Sequence, residues 1–301
     1  MNKTSFMGDK PVNRMGFGAM QLAGPGVFGP PRDPDAARSV LRRAIELGVD
    51  HIDTAQYYGP DVVNDVIREA LHPYPEHLKL VTKVGGRRDD QGAWLPAQSP
   101  AELRSGVEDN LRSLRVERMD LVNLRLMYPE AAGDLLAEQL GTLEDLRHEG
   151  KLDLIGISEA GADTVRRALE LVDIAEVQNA YSVVNRSGED VLELCMEREI
   201  AFVPYFTLGS AFAGGPRQLA EDPVIAGVAD RHGISVTQVA LAWLLHRYER
   251  MLLIPGTSSV AHLEQNMAAA DVELDESDVA ELERARQIVE SASRVASSAG
   301  A

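Results

Sequence analysis

Strand and helix signals alternate eight times along this chain with no linker between them, and the strand segments are short apolar runs whose polar residues gather at their ends. Together these observations predict an α/β fold: a closed (β/α)8 TIM barrel with a C-terminal extra helix. The expected domain is single and spans residues 1–301. Its barrel covers about 11–271, and a helix with a frayed tail covers 275–301.

The first strand is read over Met15 to Met20. After a turn-rich stretch, Asp33 to Leu47 places Ala37, Val40, Leu41, Ala44 and Ile45 at helical spacing and stops at Gly48. Strand His51 to Ala55 leads to helix Val62 to Leu71, and strand Lys79 to Val84 leads to helix Pro100 to Leu114. Ser99-Pro100-Ala101-Glu102 has the form of a capping box, with proline where no N–H is needed. Strand Met119 to Leu124 and helix Leu135 to His148 follow, with Gly150 as the stop. Next come strand Leu152 to Ile157 with helix Ala162 to Leu171, strand Ile174 to Gln178 with helix Glu189 to Arg198, and strand Ala201 to Tyr205. Helical segments Pro223 to His232, stopped by Gly233, and Val236 to His246, opened by the box Ser235-Val236-Thr237-Gln238, then precede strand Met251 to Ile254 and helix Ala261 to Ala269. Runs such as Leu80-Val81-Thr82-Lys83-Val84 suit parallel strands covered on both faces.

Composition narrows the function. With 47 Asp+Glu against 30 Lys+Arg the net charge is −17, a surface that repels phosphate backbones and anionic lipid. A small-molecule partner is expected, with no nucleic acid and no membrane. The single cysteine, Cys195, excludes a disulfide framework, and its neighbours Leu192, Leu194 and Met196 mark it as a packed thiol. No signal-peptide core opens the chain and no run approaches the ~18 apolar residues of a membrane span, so a cytoplasmic protein is expected. Oligomeric state is not legible.

Gly24-Pro25-Gly26-Val27-Phe28-Gly29 matches a dinucleotide fingerprint by letter only. That fingerprint needs glycines opening a helix directly, whereas Pro30 and Pro31 intervene here before the helix at Asp33. The stretch is read instead as a loop over the first strand, with Phe28 walling a pocket.

Chemistry gathers where strands end. Asp53, Tyr58, Lys83 and Arg125 all fall at or just beyond the C-terminal ends of strands two, three and four, the catalytic face of such a barrel. A phenol with an ordinary pKa near ~10 donates poorly at neutral pH, and a nearby ammonium is expected to lower it. Asp53 would hold Lys83 charged and oriented, and the three together suit proton transfer to a carbonyl oxygen. His51 shares a strand face with Asp53, but no third ligand has usable spacing, so no metal is expected.

These motifs resemble the aldo-keto reductases: Asp53-Thr54-Ala55, Tyr58-Gly59, Thr82-Lys83, and Leu253-Ile254-Pro255-Gly256-Thr257-Ser258-Ser259. The similarity runs from about Asn13 to Asn266. It implies that Tyr58 is the general acid tuned by Lys83 and Asp53, and that NADP(H) lies extended across the barrel mouth. By the same resemblance Ser158 and Gln178 hold the nicotinamide carboxamide, Tyr205 stacks on the ring, and Met20, Asp53 and Leu208 line the cofactor. The adenosine 2′-phosphate falls to Gly256, Thr257, Ser258 and His262, with Gln265 and Asn266 near adenine. The loop before the strand-eight helix also suits an anion on its own terms, because free N–H groups and the helix dipole point there. The family commonly has Lys and Arg where Gly256 and His262 stand, so NAD(H) use stays open.

Two departures from the family pattern stand out. Arg125 replaces a histidine; it cannot donate a proton at working pH, so its role is to polarise the carbonyl or pair with an anionic substrate group. Glu159 replaces an asparagine, and leaves open either an altered carboxamide contact or a side chain turned outward. Asn123-Leu124-Arg125, the Gly18 to Pro31 loop and Ala93-Trp94-Leu95-Pro96 resemble the bacterial pyridoxal-reducing branch of the family. Reduction of pyridoxal by NADPH is therefore expected, with Arg125 facing the ring oxygen beside the aldehyde. Trp94 and Tyr128 are candidate substrate-pocket residues. The alternatives are another aldehyde or ketone in specialised metabolism, or a low-turnover nicotinamide-binding regulatory protein.

Overall fold

The computed structural model describes residues 3–127, 133–209 and 215–285. Tyr128 and the tail from residue 286 onward lie outside the described residues. A hairpin absent from the expected list comes first, β1 (Thr4–Met7) and β2 (Lys10–Asn13), paired antiparallel with Thr4 opposite Asn13. Its alternation buries Met7 and Val12 against Val81, Leu121 and Leu252, so the hairpin plugs the end of the barrel where the strands begin.

Strands β3 (Phe17–Gly18), β4 (His51–Asp53) and β5 (Lys79–Val84) are followed by a side hairpin, β6 (Gly86–Arg88) and β7 (Trp94–Pro96). The curved sheet then continues through β8 (Met119–Arg125), β9 (Leu152–Ser158), β10 (Ile174–Ala180) and β11 (Ala201–Tyr205). Within this seven-stranded sheet every neighbouring pair is parallel. Residues 251–254 close the circle: Met15 bridges Leu253 and Phe202 bridges Met251, both in parallel. Gly16 N–H donates to Leu253 O at 2.8 Å and Leu252 N–H donates to Phe202 O at 3.0 Å. The expected eighth strand is thus present as isolated bridges rather than a full ladder.

Helices α1 (Pro34–Glu46), α2 (Val62–Leu71), α3 (Pro100–Leu114), α4 (Gly133–His148), α5 (Ala162–Leu171) and α6 (Glu189–Arg198) alternate with the strands. They are followed by α7 (Pro216–Glu221), α8 (Pro223–His232), α9 (Val236–Arg247), α10 (Val260–Ala268) and α11 (Glu276–Leu282). Asp33 accepts from Ala36 N–H at the start of α1, and Ser99, Ser235 and Asp275 form complete capping boxes. Helix α9 is buried from Val239 to Leu245, with Trp243 stacked on Tyr181 at 5.9 Å. Burial pushes the Cys195 thiol up to about 12, which suits a packed, unreactive group. Among the described residues no helix is long and apolar enough to cross a membrane.

Several strand boundaries differ from expectation: β4 stops at Asp53 rather than Ala55, and β10 runs on to Ala180, which pairs with Tyr205. The first strand stops at Gly18 because Ala19–Leu22 tightens into a 3-10 turn, which takes Met20 out of the strand and onto the mouth. Strands β8 and β9 extend one residue further, to Arg125 and Ser158, because those two residues pair with each other in register.

Candidate active site

Strand alternation decides what enters the barrel. On β4 Asp53 points inward while Ile52 packs against the helices; on β5 Lys83 points inward and Thr82 outward; on β10 Glu176 and Gln178 point inward. Lys83 Nζ donates to Asp53 Oδ1 and to Thr54 O, the latter at 3.2 Å, and Gln178 Nε2 donates to Asp53 Oδ2 at 2.9 Å. Asp53 and Lys83 are 4% and 3% exposed, so each desolvated charge depends on the other. One layer deeper, Asn123 Nδ2 donates to Glu176 Oε1 at 2.8 Å. The Glu176 carboxyl is pushed up to about 7, chiefly by burial and then by the Asp53 carboxylate, against the hydrogen bond from Asn123 and the pull of Lys83. His51 is also inside; its Nδ1 lies 3.2 Å from Asp50 Oδ1.

A buried polar network fixes the strand ends from behind. Thr54 Oγ1 donates to Asn64 Oδ1 (2.8 Å), Thr82 Oγ1 donates to Asn110 Oδ1 (2.7 Å), and Asn64 Nδ2 donates to Asn110 Oδ1 (3.0 Å) and Ser113 Oγ (2.9 Å). Thr54 and Thr82 directly adjoin Asp53 and Lys83, so α2 and α3 hold the strands that carry the ion pair.

Tyr58 is 6% exposed, and Lys83 Nζ lies 5.2 Å from its ring centroid. The expected lowering of this phenol by Lys83 is not what the structure contains. Burial, followed by the Asp53 carboxylate, pushes the Tyr58 phenol up, and the opposing cation is Arg125.

Arg125 closes β8. Gly85, at φ 105°, lets β5 leave the barrel against it: a Cβ there would meet the Arg125 carbonyl oxygen at 2.4 Å. Arg125 Nη2 lies 3.7 Å from Glu159 Oε1, so the two departures from the family pattern are neighbours. Arg125 Nε and the Tyr57 hydroxyl are buried without a hydrogen-bond partner.

The wall beside this group is aromatic. Tyr57 packs edge-on against Tyr58 (5.5 Å) and Trp94 (5.6 Å), and the Arg88 guanidinium sits over Trp94 (4.1 Å) and Phe28 (5.4 Å). Arg88 also donates to Gly26 O, Val27 O and Gly92 O, tying the Phe28 loop to the side hairpin. Trp94, a candidate pocket residue, is the first residue of β7. Sequence reading passed over Arg88, Tyr57 and Glu176. Only Glu176 left a signal: a carboxylate at the same strand parity as Gln178.

The cofactor candidates occupy the rest of the mouth. Ser158 Oγ and Gln178 Oε1 are buried and unpartnered, an acceptor and a hydroxyl that fit a carboxamide. Tyr205 is half-buried, edge-on to Phe206 at 4.9 Å, and Met20 in its 3-10 turn and Leu208 after β11 are half-buried as well. At the far end Ser259 caps α10 by accepting from His262 N–H, and Ser259 N–H donates to Thr257 Oγ1 at 3.1 Å. Ser258, His262 and Gln265 are exposed, Gly256 is half-buried, and Thr257 and Asn266 are buried.

A closed parallel barrel with a tyrosine, lysine and aspartate at the C-terminal mouth has the constitution of an oxidoreductase acting on carbonyl and alcohol groups. The chain belongs to the aldo/keto reductase family, whose pattern matches residues 14–287. It is 46% identical over 278 residues to pyridoxine 4-dehydrogenase of Escherichia coli, covering 91% of this chain and 95% of that one. An uncharacterised oxidoreductase of Schizosaccharomyces pombe is 38% identical over 277 residues, covering 92% and 88%. Among solved structures, an aldo/keto reductase of Klebsiella pneumoniae in complex with NADP and acetate superposes with a TM-score of 0.77 at 27% identity, covering 94% and 95%. A complex of that species' aldo-keto reductase with NADPH gives the same figures.

Proposed function

We propose that this chain is an NADPH-dependent carbonyl reductase whose favoured substrate is pyridoxal, reduced to pyridoxine. The observation that carries the reading is the buried Tyr58 phenol, with the Lys83 ammonium of the Asp53–Lys83 pair 5.2 Å from its ring centroid and Arg125 as the cation that opposes its upward shift. The similarity to pyridoxine 4-dehydrogenase supports the substrate, and the NADP and NADPH complexes of the Klebsiella protein support the cofactor.

The carboxamide end of the cofactor is assigned to Ser158 and Gln178, and its 2′-phosphate to Gly256, Thr257, Ser258 and His262 before α10. NADPH supplies the hydride. Tyr58, held protonated by burial, gives its proton to the carbonyl oxygen as negative charge develops there. Arg125 stabilises that oxygen and the phenolate left behind, in a site where removed water strengthens both interactions. Lys83, fixed by Asp53 and Thr54 O, keeps the ring of Tyr58 in place.

The test is nicotinamide absorbance followed with pyridoxal, benzaldehyde and ketones, using NADPH and NADH in parallel. Tyr58→Phe should cut turnover by about 10²–10⁴-fold; turnover that survives removes Tyr58 as the acid. Arg125→Leu should hurt pyridoxal more than benzaldehyde, and equal losses sink its role at the ring oxygen. Tight NADPH binding without turnover on any carbonyl would favour a regulatory protein instead.

A further inference from the structure

Arg125 and Glu159 sit on neighbouring strand ends, since Arg125 pairs in register with Ser158. The chain around them is pinned: Leu126 N–H donates to Ser158 O at 2.9 Å and Glu159 N–H donates to Gln178 O at 3.2 Å. Glu159 has φ 63°, a left-handed conformation that strains a glutamate and would suit asparagine better. From there its carboxylate reaches Arg125 at 3.7 Å, a loose pair with side chains 28% and 24% exposed. The guanidinium is under-used, because Nε is buried and unpartnered. Arg125 thus holds unspent capacity for an anion at the mouth, with Glu159 as its resting partner.

We propose that Glu159 is a specificity-determining residue: it occupies Arg125 in the empty site and yields it to an ionised oxygen that the substrate carries next to its carbonyl. The inference rests on the reading of Arg125 as the partner of such an oxygen. A half-buried pair held at 3.7 Å is loose, so an ionised oxygen that can take a charge-assisted hydrogen bond from the guanidinium displaces it more readily than a neutral ring does. Glu159 then sets how strongly the enzyme prefers carbonyl substrates with an acidic neighbouring hydroxyl.

Salicylaldehyde and benzaldehyde differ by that one ring hydroxyl, and their kcat/KM ratio at pH 8 reads the effect free of changes common to both. In Glu159→Gln the ratio should rise about 1.5- to fivefold, the range of one loose ion pair. In Arg125→Leu the ratio should fall, and in the double variant Glu159→Gln should add nothing. A ratio unmoved by Glu159→Gln while Arg125→Leu still lowers it overturns this inference and leaves the Arg125 reading standing. A ratio indifferent to Arg125→Leu overturns both. A fall in the ratio with Glu159→Gln would make Glu159 a residue that orients Arg125 rather than competes for it. A change in NADPH affinity, followed by quenching of tryptophan fluorescence, with the ratio unmoved would return Glu159 to the cofactor and refute the proposal.

Discussion

Glu176→Gln makes the barrel interior testable in numbers. The Glu176 carboxyl is 1% exposed, accepts from Asn123 and faces the charges of Asp53 and Lys83. Burial raises it from the usual 4.5 to about 7. The unfolded chain releases this proton near pH 4.5, whereas the folded chain keeps it until near pH 7. Below 4.5 both states are protonated and nothing is lost. Between the two values the unfolded state gains stability as pH rises, and above pH 7 the whole cost is present. At 1.36 kcal/mol per pH unit that cost is about 3 kcal/mol, of which about 1 is already felt at pH 5. Glutamine keeps the shape and an acceptor for Asn123 but has no proton to hold. The stability difference between Glu176→Gln and the parent should therefore shift in the variant's favour by about 2 kcal/mol between pH 5 and pH 8. Urea unfolding of both proteins at the two pH values reads this directly, and any constant packing penalty of the substitution drops out. A difference that stays flat across the interval would show that Glu176 is ionised in the folded protein like an ordinary carboxylate.

The buried network and the aromatic wall give further expectations. Asn110→Leu leaves the Thr82 hydroxyl without its acceptor and Asn64 with one partner fewer; unfolding should cost about 2–3 kcal/mol less, and a loss under about 0.5 kcal/mol would deny the network a structural role. Arg88→Ala removes the cation over Trp94 and Phe28 together with its carbonyl contacts, so KM for aromatic aldehydes should rise several-fold while kcat falls less. Steady-state kinetics on benzaldehyde settle that point.

The helices were legible because their apolar spacing and caps are local: α2, α3, α5, α6 and α8 have the bounds their sequence implies, and Ser99 and Ser235 cap as their motifs require. The approach of Lys83 to Asp53 was legible from the fold class, since any closed barrel brings those strand ends together. The β1–β2 hairpin was not, because its alternation of buried and exposed residues is only four residues long and means something only once a barrel end exists to plug. Arg88 was invisible because its partners Gly26, Val27 and Gly92 are backbone carbonyls, which carry no side-chain signature. The Tyr58 phenol moved opposite to expectation because sequence shows which charges are near but not how deeply they are desolvated.

The strand that closes the barrel runs straight on into Gly256, Thr257, Ser258 and α10, and it is joined to its neighbours by isolated bridges. A molecule gripping that loop would therefore act as a suture, drawing together the first and last staves of a ring that the backbone alone fastens sparingly. Its binding energy would appear far from the chemistry, as slower amide exchange along residues 14–18 and 251–254 and a slower springing apart of the two ends.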